Sequence, residues 1–275
     1  MNEVSIFGST GFIGSRYCGM FPNESIKILR EENSTHVGKI LYFISTVTNY
    51  NIFEDPLKDI NTNMLKLVSV LEANKELENF EFNFISSWFV YGEQGDAVVK
   101  EDAYCDPKGF YSITKRAAEQ MLISFCETYG LNYRIIRLCN VIGKGDVKSS
   151  RKKNALQYMI ERLKKGEDVS LYDGGAHIRE YMHVDDVCCA IKMIIEKGNL
   201  NEIYNVSPCD PVTIGEMISY AKQKIGSKSK INSMKTPEFH KIVQTKDIRI
   251  DNTKLTRLGF KPRYDVWQSI DLLID

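Results

Sequence analysis

The sequence predicts an α/β fold built on a doubly wound parallel sheet, with a smaller C-terminal α/β part. Three observations predict it. Short apolar runs at Val4–Phe7, 25–29, 39–45, 82–86 and 133–138 read as buried strands. Stretches with helical spacing, above all 61–74 and 111–129, alternate with them. The first strand then runs directly into Gly8-Ser-Thr-Gly11-Phe-Ile-Gly14 and a segment that can be helical as far as Met20.

Size and composition bound the rest. At 275 residues the chain is long for one domain and short for two, so the expected division is 1–150 and 151–275, with room for the chain to cross back. Lysine plus arginine equals aspartate plus glutamate at 36 each, which leaves no overall field to draw nucleic acid or an anionic membrane. An anionic ligand has to be bound locally. The seven cysteines (18, 105, 126, 139, 188, 189 and 209) show no CxxC spacing and no ligating neighbours, so no metal site is expected. They read as reduced, mostly buried thiols of a cytoplasmic protein. No apolar run approaches the roughly 20 residues needed to span a bilayer, and the chain opens on a strand rather than a signal peptide.

The glycine turn is the first element with chemistry. Strand, glycine turn and helix is the order that a dinucleotide pyrophosphate needs, although the bare spacing also suits a plain turn. Gly8 would make the turn, Gly11 would let backbone approach phosphates and Gly14 would let the helix pack close. The turn residues Thr10, Phe12 and Ile13 join these as cofactor contacts. After the second strand comes Arg30, then Glu31 and Glu32. An arginine there suits a 2′-phosphate, which points to NADP(H), with NAD(H) as the alternative and a solvated charge run as the bland reading. About ten residues separate Leu29 from Ile40, too few for a crossover helix, so a turn or irregular loop is expected.

The fourth strand ends in Ser86-Ser87-Trp88-Phe89-Val90-Tyr91. Ligands bind at the carboxyl ends of such strands, so the Ser87 hydroxyl is placed to hold a substrate oxygen, and serines there also cap loops. Pro107 and Gly109 precede a helix from about Tyr111, with Gly109 read as keeping the chain loose. Tyr111 and Lys115 are then i, i+4 neighbours. An ammonium beside a phenol favours the phenolate, which would lower the Tyr111 pKa and equip it for proton exchange near neutral pH.

The fifth strand opens into Asn140-Val-Ile-Gly143, and 146–153 is polar and basic, read as a loop between the two parts. A helix from Ala155, a strand at Val169–Tyr172 and the segment Arg179-Glu-Tyr-Met-His183-Val-Asp185-Asp186 follow. Thr213 can cap a helix with Glu216 as its capping-box partner. His177 and His183 are read chiefly as structural, and Trp88 and Trp267 as packing.

Assembled, these motifs resemble the extended short-chain dehydrogenase/reductase superfamily, in particular its nucleotide-sugar epimerases, dehydratases and reductases. The resemblance covers essentially the whole chain and implies a Rossmann-type sheet with a C-terminal substrate-binding part. It implies Tyr111 as general acid/base, Lys115 as the residue that lowers its pKa and holds the nicotinamide ribose, and Ser87 as the hydroxyl that positions substrate. It further implies that Asn140 and Arg179 contact the diphosphate of a nucleotide-linked sugar, that Trp88 and Phe89 lie on the substrate side, and that Asn63 supports the cofactor side. The competing reading of Arg179 is an ion pair with Asp185 or Asp186. A homodimer through 62–74 and 111–129 is expected on the same ground.

Three departures shape the expected activity. Dehydratases of this superfamily carry an Asp-Glu pair where this chain has Trp88 and Phe89, which speaks against 4,6-dehydration. Arg30 replaces the familiar acid, a feature shared with NADPH-dependent keto-sugar reductases. The C-terminal Arg-Pro-Gly-Asp reads Gln244-Thr-Lys246-Asp247, so Lys246, Lys241 or Arg249 would have to stand in for the missing arginine. Reduction of a 4-keto-6-deoxyhexose is the expectation, and 4-epimerisation with NAD is its rival.

Overall fold

The computed structural model describes residues 3–95, 97–146, 150, 153–243 and 247–275. Six parallel strands form the central sheet. In chain order they are β1 (Val4–Phe7), β2 (Ser25–Lys27), β3 (Lys39–Tyr42), β4 (Glu81–Ser87), a fifth at Asn132–Leu138 and a sixth at Glu202–Val206. In space they run 2-1-3-4-5-6. The registers place Ser5 beside Ile40, Leu41 beside Asn83 and Ser87 beside Leu138, and β4 runs three residues beyond the end of β3.

Both faces are covered, which is why the strands are apolar without alternation. On one face lie α1 (Phe12–Met20) and α6 (Val184–Lys197), which bury Tyr17, Val187 and Ile191 against Ile6, Leu41 and Ile136. On the other lie α3 (Lys66–Asn74) and α4 (Phe110–Tyr129), with Leu67, Leu71, Ala118 and Leu122 against Ile40, Phe82 and Ile135. Each such fully buried aliphatic side chain contributes roughly 1.5–3 kcal/mol. After residue 150 the chain serves two layers. The sixth strand and α6 return to the first sheet, whereas α5 (Ala155–Lys164), α7 (Ile214–Ile225) and the helix Val266–Ile274 enclose a separate core of Leu156, Ile160, Met217, Ile218 and Ile270.

No helix joins β2 to β3, as the short connection requires. The loop is stapled instead. Ser5 Oγ and Thr35 Oγ1 share a hydrogen bond of 2.7 Å, Thr35 N–H donates to Asn74 Oδ1 (2.9 Å), and Lys66 Nζ donates to Asn33 Oδ1 (2.5 Å). Because β2 and β3 flank β1 on opposite sides, the chain reverses direction across the sheet there. Such a switch point leaves a crevice at the carboxyl ends of β1 and β3.

Several boundaries differ from the sequence reading. β2 ends at Lys27, short of Leu29, and β3 ends at Tyr42, short of Ser45. The helix expected from residue 61 begins at α2 (Leu57–Ile60) and passes through a π turn (Asn61–Leu65) into α3. Gly109 does not loosen the chain. A Cβ there would lie 2.1 Å from Asn49 Oδ1, so the helix entry is pressed against the loop after β3. Gly130 ends α4 at φ +66°, and Thr213 and Glu216 form the expected capping box. Short strand pairs went unforeseen, among them Val98–Val99 with Arg249–Ile250 and Val169–Tyr172 with Ile231–Met234.

Two glycines of α1 should respond oppositely to alanine. A Cβ on Gly14 would sit 2.3 Å from the Gly8 carbonyl oxygen, so Gly14→Ala should cost about 1–3 kcal/mol. Gly19 has nothing within 4 Å, so Gly19→Ala should stabilise by about 0.4–1 kcal/mol. Urea midpoints of the two variants check this, and equal shifts would contradict the packing described.

Candidate active site

One cavity of about 870 Å³ opens along the carboxyl ends of β1, β3 and β4. The turn after β1 forms one wall. Gly8 sits at φ +84°, a region that favours glycine, and Gly11 N–H donates to Gly8 O at 3.1 Å. Thr10, Gly11, Phe12, Ile13 and Gly14 all line the cavity, and α1 begins there with no acidic residue in its first turn. Its free amides and positive dipole end therefore face the cavity, an arrangement that attracts an anion.

Ser87, Tyr111 and Lys115 all line the same cavity. Ser87 ends β4, where its Oγ accepts from Phe89 N–H at 3.3 Å and caps the turn Trp88–Tyr91. Ser87 and Ser45 both lie near enough to the Tyr111 phenol to act on its acidity. Ser87 thus caps that turn and also lines the cavity.

The electrostatics differ from the expectation. Burial pushes the Tyr111 phenol up to about 12, against the downward pull of Ser87 and Ser45. Lys115 donates instead to the carbonyl of Ile85 at 2.6 Å, with its amine 3.9 Å from the Phe84 ring centre. Burial lowers Lys115 to about 7, and the nearby Glu119 carboxylate opposes that fall. The i, i+4 spacing puts the pair on one helix face, but desolvation is the dominant effect on both groups. At neutral pH Tyr111 therefore holds its proton.

Asn63 supports the site from behind the cavity wall. Its Nδ2 donates to Thr46 Oγ1 (2.8 Å) and Thr114 Oγ1 (2.9 Å), and its Oδ1 accepts from Thr46 N–H (2.9 Å) and Ser45 Oγ (3.0 Å). It is buried in the π turn and does not line the cavity, so its place is behind the wall rather than in it. Arg30 is exposed in the turn after β2 and also lies outside the lining.

Asn140 and Arg179 belong to a further stretch of the cavity lining. Asn140 is fixed by Glu180, whose carbonyl accepts from both Asn140 N–H (3.2 Å) and Nδ2 (3.0 Å). Arg179 is buried there, 5.5 Å from the Trp88 ring centre, with Nη1 donating to Ile178 O at 2.7 Å. Neither carboxylate proposed as its partner fills that place. Asp185 binds Arg16 through two bonds of 2.5 and 2.7 Å, and Asp186 accepts from the backbone of Arg263 and Tyr264. Trp88 is 2% exposed yet lines the cavity, stacked on Phe89 at 4.1 Å, whose edge faces Tyr111 at 6.1 Å. Trp267 packs on Tyr220 away from the site, and His183 caps α6 against Tyr264.

Of the proposed stand-ins for the missing arginine, Lys246 lies outside the described residues, as does most of the loop 146–153. Lys241 pairs with Glu238, and neither it nor Arg249 lines the cavity. Among the described residues the basic side chains that line the cavity are Lys115, Lys153, Arg162 and Arg179 with His177 and His240. Asp247, the acid retained from that motif, accepts from Ile178 N–H at 2.7 Å and so holds the strand that carries Arg179. Sequence reasoning missed His240 and Tyr50. They meet across the cavity mouth at 3.0 Å beside the Phe53–Phe239 contact of 4.5 Å, and burial lowers His240 to about 4. These partners stand 190 residues apart, and no local pattern marks them. No cluster of metal ligands and no helix long and apolar enough to cross a membrane occurs among the described residues. All seven cysteines are free.

Comparison with known proteins agrees with this architecture. A low-salt glycan biosynthesis protein of Haloferax volcanii is 27% identical over 217 residues, covering 78% of this chain and 67% of that protein. GDP-6-deoxy-D-mannose reductase of Pseudomonas aeruginosa is 25% identical over 229 residues, covering 81% and 74%. Among solved structures, UDP-glucose 4-epimerase of Thermotoga maritima with UDP-glucose superposes with a TM-score of 0.88 at 21% identity, over 99% of this chain and 97% of that one. RMD of Pseudomonas aeruginosa complexed with NADPH gives 0.85 at 20% identity, over 100% and 98%. The sequence profile of the NAD dependent epimerase/dehydratase family matches residues 40–207, and this chain belongs to that family.

Proposed function

We propose that the protein reduces the keto group of a nucleotide-linked sugar, a 4-keto-6-deoxyhexose, with NADPH. The observation that carries this reading is the convergence of Ser87, Tyr111 and Lys115 in one cavity between the glycine turn and Arg179, with aromatic rings where a dehydrating acid and base would stand. Residues 1–150 then supply most of the cofactor wall and 151–275 most of the substrate wall.

The cofactor side fits a dinucleotide. Gly8 at positive φ and the close approach of Gly14 to Gly8 bring the α1 amides to the cavity, where Gly8, Thr10, Gly11, Phe12, Ile13 and Gly14 would cradle the pyrophosphate. Arg30 would meet the 2′-phosphate, and Lys115 the ribose. A bound nicotinamide supplies the hydride that reaches the carbonyl carbon. Tyr111, held protonated by burial, donates its proton to the developing alkoxide. Ser87 keeps the substrate oxygen in line with that phenol. Trp88 and Phe89 exclude water from the reacting carbon, and Asn140 and Arg179 hold the diphosphate, for which a guanidinium's fork of donors is suited. The 25% identity to a GDP-6-deoxy-D-mannose reductase supports the reaction class. Exposed Leu65, Ile113 and Tyr129 on the π turn and α4 support a homodimer through these helices. A monomer by light scattering at working concentration would remove that part.

Tyr111→Phe should lower kcat by about 10²- to 10⁴-fold and leave cofactor affinity nearly intact. Unchanged turnover would overturn the mechanism. Arg30→Ala should raise the KM for NADPH roughly tenfold with little effect on NADH, a pattern expected if one charged contact to the 2′-phosphate is lost. An equal change for both cofactors would remove Arg30 from the site. Stoichiometric NADPH oxidation with one 4-keto-6-deoxy sugar of a dTDP, CDP, GDP and UDP panel establishes the reductase. No consumption, with NAD recovered from the denatured protein, establishes the epimerase instead.

A further inference from the structure

We propose that Glu119 is a positioning residue that sets a buried negative charge one helical turn from Lys115 and ties the helix carrying Tyr111 and Lys115 to the strand carrying Ser87. The proposal rests on the reading of Tyr111, Lys115 and Ser87 as the reacting set. Glu119 lies one helical turn beyond Lys115 on the buried stripe of α4 and is 0% exposed. Three elements converge on its carboxylate. Ser86 Oγ, from the residue just before Ser87 on β4, donates to Oε1 at 2.6 Å. Arg137, on the fifth strand, grips both oxygens through Nε (3.0 Å) and Nη2 (2.7 Å). Arg116 of the same helix donates to Oε2 at 2.8 Å.

This carboxylate does not line the cavity, so substrate does not reach it; its influence passes through Lys115 and Ser86. Burial alone would raise the Glu119 carboxyl. The bonds from Arg137, Ser86 and Arg116 outweigh that effect and hold it below the usual carboxylate range, so it stays ionised beside Lys115. Around Lys115, α4 presents Tyr111 and Glu119, and β4 presents the Ile85 carbonyl and the Phe84 ring. Asp59 from α2 acts on Tyr111, and Arg137 and Arg116 act through Glu119. Glu119 is thus the negative charge that offsets desolvation of the amine.

Neutralising Glu119 removes that offset and leaves two arginines uncompensated, so the amine should lose its proton at lower pH. Removing Arg116 should do the reverse, because it deletes a cation and frees the carboxylate's field. The measurement is NMR titration of carbon-13-labelled lysine side chains in the full chain, with the Lys115 signal assigned by its loss in Lys115→Met. Glu119→Gln should lower the Lys115 midpoint by roughly one pH unit, and Arg116→Gln should raise it by roughly 0.3. The alkaline limb of kcat should move with each midpoint. A residue that only packs the helix would shift neither. If Glu119→Gln does not fold, Arg116→Gln decides: a rise supports the proposal, and an unmoved midpoint overturns it. Midpoints that move as stated in a protein that turns over no nucleotide-linked sugar would uphold the role of Glu119 and remove the functional reading beneath it.

Discussion

The buried carboxylate of Glu119 is the constraint on which the site's geometry depends. Arg137 and Glu119 are both essentially excluded from solvent, at 1% and 0% exposure of their side chains. Two charges taken out of water gain little net stability over an apolar pair, yet loss of one partner costs about 3–5 kcal/mol because the other is left uncompensated. The arrangement therefore acts on position more than on stability. It allows one relative placement of α4, β4 and the fifth strand, and Ser87, Tyr111 and Lys115 inherit it.

From Arg137 the same polar network runs on to the other end of the cavity. Its Nη1 donates to Glu101 O at 3.0 Å, and its guanidinium stacks 4.7 Å over Tyr91. Tyr91 donates to Asn205 Oδ1 at 2.6 Å, and Asn205 Nδ2 donates to Asp251 O at 3.0 Å. Next along the chain, Ile250 N–H donates to Glu180 Oε1 at 3.1 Å, with Ser207 on the other oxygen of that carboxylate. Glu180 then holds Asn140 through its own carbonyl and neighbours Arg179 in sequence. The two ends of the cavity are thus linked through buried hydrogen bonds, one cation–π contact and short steps of chain, a network of the kind that rigidifies a core when its members are satisfied.

Local chemistry explains which parts of this were legible in the chain. The glycine turn, the Thr213–Glu216 capping box, the stop at Gly130 and the absent second crossover helix each depend on a few consecutive residues, and each stands in the structure. Asn63, Gly109 and the Tyr50–His240 contact depend on partners 17 to 190 residues away, so their places could not be read from neighbours in sequence. The Tyr111–Lys115 pair belongs to both groups. Its spacing was visible, but the sign of the effect on the phenol depended on burial.

The sequence by itself determined the class of fold and the inventory of reactive groups, because strand apolarity, helical period and glycine placement are local consequences of backbone sterics and burial. Only the tertiary structure decided which groups share a cavity and in what protonation state they stand there. Desolvation and hydrogen bonding are set by what packs around a side chain, and here that surrounding is assembled from β4, α4, the fifth strand and the returning C-terminal segments.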